Sequence, residues 1–327
     1  MAALALGAVA APPPQSIWPE KWREHTRATV TAVTPSDPQL WAELAGQAAE
    51  KAIYDSPVGR FSATAYRLKD STSALAWYEY LRPENAVPAL GAATVSTIPG
   101  GEFTAHLNYV LVFSGWRPLD KEMQALYKLL PQMRAGGGLP QLMRYLPEMN
   151  RQRNSERYIV GLYSLGLFAP MVPGSVAGFE DGAEAQVARY QTPGGETTVV
   201  IFEYPTPHVA RRYEAQFAQL PGWQVKRTGP LVALVPAAAG HAVDAATARA
   251  LLDPIDWDLE FTWYESAKRH LPVNVGAMLW GAIELTGVVL GAVLFGGIFF
   301  AVIGVWIRRS VLKEGEESGL TVLRLNG

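Results

Sequence analysis

The longest apolar pattern in the chain lies close to its C-terminal end. Residues 285–307 read LTGVVLGAVLFGGIFFAVIGVWI, with no charge over 23 positions. At 1.5 Å per residue such a helix is roughly 34 Å long, against a hydrocarbon core of about 30 Å. The run predicts a transmembrane helix over residues 276–307, followed by a cytoplasmic tail over 308–327. Trp280 and Trp306 mark the two membrane boundaries, where indole rings favour the headgroup layer, and Glu284 borders the outer one. Arg308, Arg309 and Lys313 follow at once, whereas Lys268 and Arg269 on the other side stand well back, so the positive-inside bias puts the C-terminus in the cytoplasm. Gly287 and Gly291 lie one turn apart, a spacing that lets a second helix approach and predicts helix packing against another membrane protein or a second copy.

Before this run the pattern has short periods, and one block of it recurs. AIYDSPVGRFSATAYRLKDSTSALAWYEYL from Ala52 aligns with ARYQTPGGETTVVIFEYPTPHVARRYEAQF from Ala188 at an offset of 136. Tyr54, Pro57, Gly59 and Ala74 meet identical residues, Tyr66 falls on Phe202 and Trp77 on Tyr213. In each copy a strand and a Pro/Gly turn precede an alternating strand: Phe61, Ala63 and Ala65 against Ser62, Thr64 and Tyr66, then Val199 and Ile201 against Val200 and Phe202. A capped helix follows, opened by Asp70-Ser71 or by Thr206-Pro207, with faces Leu75, Tyr78, Leu81 and Val209, Tyr213, Phe217. YVLVF from Tyr109 and LVALV from Leu231 supply a third strand at an offset of 122, the first copy carrying fourteen extra residues. A second helix then starts at Asp120 or Asp244.

The expectation is an α+β chain: two similar ββαβα modules, each an antiparallel sheet with helices on one face, plus the membrane helix. The modules occupy 12–132, with an added helix from Asp37-Pro38, and 177–270. Residues 133–176 read as the region joining them, with RAGGGLP as a break, LPQLMRYLPEMN as a short helix and RYIVGLYSLGLF as a strand or buried helix. Residues 1–11 read either as a signal peptide lacking its basic start, with Ala8-Val9-Ala10 as the cleavage pattern, or as an Ala-rich tail.

The segments AYRLKDSTSALAWYEYLRP, SERYIVGLYSLG, GFEDGAEAQVARYQTPGGETTVVIFEYPTP, TGPLVALV and the closing VLRLNG resemble an uncharacterised family of bacterial, largely acidobacterial, envelope proteins, known as a domain of unknown function. The resemblance implies a signal peptide, a periplasmic domain and a C-terminal membrane helix. It carries no functional residues over.

Charge and candidate chemistry change this picture little. Lys and Arg number 28 against 30 Asp and Glu, without a concentrated basic face, which argues against a nucleic-acid partner. There is no cysteine, so disulfides, thiolate metal sites and a cysteine nucleophile are excluded. His25, His106, His208, His241 and His270 show no metal-ligand spacing, and neither a nucleophile elbow nor a phosphate loop occurs. No catalytic, cofactor-binding or metal residue is expected. Two acidic patches (Glu180, Asp181, Glu184; Asp253, Asp256, Asp258, Glu260) lack a calcium-loop spacing. Arg151, Arg153 and Arg157 form a basic stretch that could meet an anionic ligand or a lipid headgroup. The chain therefore reads as a non-enzymatic, single-pass periplasmic binding or interaction protein of the inner membrane, accessory to a membrane or envelope partner. An envelope enzyme with its site in the cleft between the modules is the alternative.

Overall fold

The computed structural model describes residues 16–89, 92–134, 138–236, 243–257 and 275–314, with backbone alone for 275–282, 292 and 310–314. The Ala-rich start, Gly136-Gly137, His241, Asp258, Glu260, Lys268, Arg269, His270 and the closing VLRLNG lie outside the described residues. The chain divides into two compact units, Met1–Asp258 and Leu259–Gly327.

The first unit is α+β with two antiparallel sheets. Its elements are β1 (Lys21–Trp22), β2 (His25–Ala32), α1 (Pro38–Glu43), β3 (Ala48–Asp55), β4 (Phe61–Arg67), α2 (Ser71–Leu81), β5 (Val87–Pro88), β6 (Val95–Ile98), β7 (Gly101–His106), β8 (Tyr109–Ser114), α3 (Asp120–Tyr127), β9 (Arg157–Ile159), α4 (Leu162–Phe168), β10 (Glu184–Thr192), β11 (Gly195–Glu203), α5 (Pro207–Phe217), β12 (Trp223–Thr228), β13 (Leu231–Pro236) and α6 (Ala245–Leu252). The first sheet runs β1-β2-β3-β4-β8-β7-β6-β5 and the second β12-β13-β11-β10-β9.

The helix starts follow from their caps. Asp70 accepts the Ser73 amide at 2.9 Å, Asp244 accepts the Thr247 amide at 2.7 Å, and Thr206 accepts that of Val209 at 3.3 Å with Pro207 behind it. Each bond satisfies an amide that the first helical turn leaves without a carbonyl.

Two expectations need correction. Helices cover both faces of the first sheet. α3 lies over Tyr54, Phe61, Leu111 and Phe113, while α2 packs on the opposite face with Phe103 and Val110. The second sheet likewise carries α5 on Phe202, Val232 and Leu234, and α6 on Leu231, Ala233 and Val235. The physical reason is visible in YVLVF and LVALV, which are apolar at every position and not only at alternate ones; such strands need cover on both sides. The ββαβα order also omits strands: β12 in the second half, and β1, β2, β5, β6 and β7 in the first. β7 and β12 form hairpins with β8 and β13. β7 does alternate in sequence, Gly101, Phe103 and Ala105 against Glu102, Thr104 and His106, but its polar Glu102 and Thr104 are buried with the apolar positions, and every residue of β12 is half-buried.

A continuous core joins the sheets. α2 is buried from Ser73 to Glu79 without a solvent face, held between Val110 of the first sheet and Ala188, Tyr190, Val199 and Ile201 of the second. The region 133–176 belongs to this core: Leu142 and Leu146 are buried in it, β9 adds an edge strand to the second sheet, and α4 follows.

The second unit is described as one helix, α7 (Val275–Glu314). Its stretch Ile283–Arg309 has a mean hydropathy of 2.7 and is long and apolar enough to cross a membrane.

Candidate functional site

Ionisable groups collect where the C-terminal end of α2 meets β9 and β10. Glu79 is 2% exposed on α2 and faces Gln186 of β10, whose Nε2 donates to its Oε1 at 3.1 Å. Glu79 Oε2 and Gln186 Oε1 are both buried without a hydrogen bond of ordinary geometry. Burial is the largest influence on the carboxyl and pushes its pKa up to about 7; Glu156 pushes the same way, while Arg82, Arg157 and the Tyr158 amide pull it down. A proton on Glu79 removes a buried charge and leaves Oε1 free to accept from Gln186.

Three residues farther along α2's path, Arg82 reaches Glu156 at 2.6 Å, and Arg151 meets the same carboxylate at 3.0 Å. Asn154 ties the chain after α2 to the start of β9. Its Nδ2 donates to the carbonyls of Glu84 and Ala86, each at 2.8 Å, and to that of Pro83 at 3.3 Å. Its φ of 58° is one that asparagine adopts more readily than most residues.

On the other face of the β9 edge lies a cavity of about 380 Å³. Arg157 on β9, Val187 and Arg189 on β10 and Thr198 on β11 lie side by side across the sheet, because Arg157 pairs with Val187 and Arg189 with Thr198. Leu167 and Phe168 of α4, with Met171 beyond it, form the apolar wall; Glu84 stands at the rim. The two arginines differ. Arg189 is engaged by Glu84 at 2.8 Å and Glu196 at 3.7 Å. Arg157 Nη1 donates only to the main-chain carbonyls of Asn154 and Glu156, at 2.9 and 2.7 Å, and no carboxylate oxygen lies within 4.0 Å of its guanidinium among the described residues. Burial lowers its pKa, with Glu79 and Glu156 opposing.

The other sequence candidates stand apart from this edge. Arg153 is exposed. Asp181 pairs with Arg212 and accepts from Tyr213, Glu184 accepts from the Tyr158 hydroxyl, and Asp256 accepts from Thr228. His208 is exposed at the start of α5, and His106 stacks on Tyr127 at 3.7 Å. No group of three or more metal-ligating side chains occurs among the described residues. On α7, Gly287 and Gly291 have nothing within 4 Å of an added Cβ, and Glu284, Trp306, Arg308 and Arg309 are exposed. Sequence reasoning named Arg151 and Arg157 but missed Glu79, Gln186 and Asn154, which lie 68 to 107 residues from the groups they bind.

Comparison with protein-family models, with curated proteins and with solved structures finds no match.

Proposed function

We propose that the protein is a non-enzymatic binding protein of the cell inner membrane, anchored by α7, with its first unit in the periplasm and its C-terminus in the cytoplasm. The observation that carries the binding role is the cavity at the β9 edge, where a half-buried guanidinium without a carboxylate partner stands against an apolar wall. The anchor is supported by the apolar stretch Ile283–Arg309, and the orientation by Arg308 and Arg309 directly behind it. On this reading the occupied first unit is presented to an envelope or membrane partner.

We also infer an internal duplication. β3, β4 and α2 recur as β10, β11 and α5, with α2 and α5 starting and ending 136 residues apart. β7 and β8 recur as β12 and β13 at 122. The shared strand order, β3-β4-β8-β7 and β10-β11-β13-β12, supports the same reading.

The alternative of an envelope enzyme draws on Glu79, whose carboxyl titrates near neutrality. The binding role is favoured because Glu79 lies in the core between the sheets and lines no part of the β9 cavity.

Two measurements test the proposal. A C-terminal reporter active only in the periplasm stays silent, and the protein sediments with membranes after a high-salt wash. An active reporter, or release by salt, overturns the anchored topology. Detergent-solubilised pull-down with mass spectrometry then recovers an envelope partner whose yield falls when the β9 cavity is altered. An unchanged yield overturns the role given to the cavity.

A further inference from the structure

We propose that the β9 cavity binds a small anionic amphiphile: a carboxylate or phosphate head on the Arg157 guanidinium and an aliphatic body along Leu167, Phe168, Met171 and Val187. This rests on the reading of the β9 edge as a binding site and names what the site takes.

The cavity's volume, about 380 Å³, falls in the range that holds small ligands. Its lining is divided by chemistry. Leu167, Phe168, Met171 and Val187 supply hydrocarbon from α4, the turn after it and β10. Arg157, Arg189, Ser155 and Thr198 supply polar groups from the strand side, and the Glu84 carboxylate, paired with Arg189, completes the lining. Ser155 is already committed, donating to the Gln152 carbonyl at 2.7 Å and accepting the Arg189 amide at 3.0 Å. Arg189 is held by Glu84 and Glu196. That leaves Arg157. The guanidinium has five N–H donors in a planar fork, and here only Nη1 is engaged, by two carbonyls that carry no charge. A half-buried cation facing a cavity is best met by an anion that accepts from two N–H groups at once, which carboxylates and phosphates do. A cationic ligand is repelled by the same group. A short polar anion leaves the α4 wall uncovered, and a neutral alkyl ligand leaves the guanidinium without a counter-charge.

Full-length protein in nanodiscs of zwitterionic lipid provides the test, with ligand-observed NMR of octanoate against empty nanodiscs. Octanoate binds in a protein-dependent manner, and octyl phosphate competes with it. Octylammonium, 1-octanol and acetate do not compete at equal concentration. Arg157→Gln weakens octanoate by roughly tenfold or more, as loss of a charge-assisted pair requires, and Arg157→Lys recovers part of it. Met171→Glu places a carboxylate at the wall; Met171 is 38% exposed, so this variant folds even where Arg157→Gln does not, and it too weakens octanoate by roughly tenfold. Doping the nanodisc with phosphatidylglycerol distinguishes two sources of the ligand. Displacement of octanoate identifies a bilayer lipid and no displacement a free amphiphile, and both support the class. Three results overturn it: 1-octanol competing as well as octyl phosphate, octanoate affinity unchanged by Met171→Glu, or no protein-dependent signal. None of these bears on membrane sedimentation or the reporter topology, so the anchored reading stands or falls separately.

Discussion

The outward faces of the two sheets are closed by different means. Over the first sheet lie Trp18 and Trp22, drawn in from the segment before β2, with Trp116 beside them. Trp22 is fully buried and has His25, Tyr54, Phe61, Phe113 and Trp116 around it, at ring separations of 5.0 to 6.4 Å. Its indole N–H donates to the Glu122 carbonyl at 3.0 Å, which pins α3 to the same cluster. Over the β9 end of the second sheet lie α4, seven residues long, and two short 3-10 turns. Large rings fill volume and seal; a short helix leaves room, and there the sheet presents Arg157 and Arg189 in place of hydrocarbon. The difference separates a face that holds the fold from one that, on the proposed reading, is free to bind.

The largest effect is expected on the sealed face. Trp22→Ala deletes a fully buried indole, and substitutions of this kind cost about 3–5 kcal/mol. Urea denaturation of the full chain in nanodiscs, followed by intrinsic fluorescence, reads the loss as a shift in midpoint at constant slope. A loss below about 1 kcal/mol would show that the aromatic cluster adapts and that the contrast between the faces is one of appearance only.

The next effects distinguish the regions by the sign of their pH dependence. Glu79 lies against β9 and β10, behind the site, and its folded pKa, about 7, is above its unfolded value. The folded state therefore holds an extra proton between about pH 4.5 and 7, and stability falls as pH rises through that window. Glu79→Gln removes this dependence and raises stability above pH 7 by on the order of 1–3 kcal/mol. His25 lies within the aromatic cluster of the sealed face, with both ring nitrogens buried and without hydrogen bonds; Glu122 stands 3.8 Å away. Burial lowers its pKa, with Glu122 and Glu24 opposing and Arg23 assisting. Its contribution has the opposite sign: present above the unfolded pKa near 6.5 and lost as pH falls towards the folded value. His25→Phe keeps the ring, removes two unsatisfied nitrogens and gains on the order of 1 kcal/mol, more so in acid. Denaturation midpoints across about pH 4.5–8.5 check both: the gain from Glu79→Gln should grow as pH rises and that from His25→Phe as pH falls, and gains that follow pH in the same direction would contradict this assignment.

Much of the architecture was legible where local chemistry decides it. Asp70 and Thr206-Pro207 mark their helices because capping acts over three residues. The long apolar helix α7 was legible because an uncharged run of that length strongly favours a continuous helix. Cover on both sheet faces could also have been read, since YVLVF and LVALV have no polar side. The site was only half legible. Arg157 stands in a visible run of arginines, but Glu79 sits on a helix whose Leu75, Tyr78 and Leu81 suggest one apolar face. Its burial comes from Gln186, 107 residues away, and no pattern within α2 announces the second sheet. The cavity depends on α4 covering Ile159 but leaving Arg157 half-exposed at the start of β9, a matter of packing.

The smallest stability effect belongs to the open face and is informative for that reason. Leu167 lines the cavity from α4 and is 43% exposed. Leu167→Ala replaces one strong helix former with another and opens no enclosed void, so the denaturation midpoint should move by less than about 0.5 kcal/mol. The same truncation removes hydrocarbon from the wall that the aliphatic body would touch. At about 0.8 kcal/mol per fully buried methylene, and with the side chain half covered by a ligand, the loss is roughly 1 kcal/mol, or about fivefold in octanoate affinity. Set beside Trp22→Ala, which lowers stability and leaves the affinity of the folded protein as it was, Leu167→Ala completes a double dissociation between the faces. A Leu167→Ala protein that loses stability and keeps its octanoate affinity would reverse the assignment, making α4 a structural cover and the cavity a packing void.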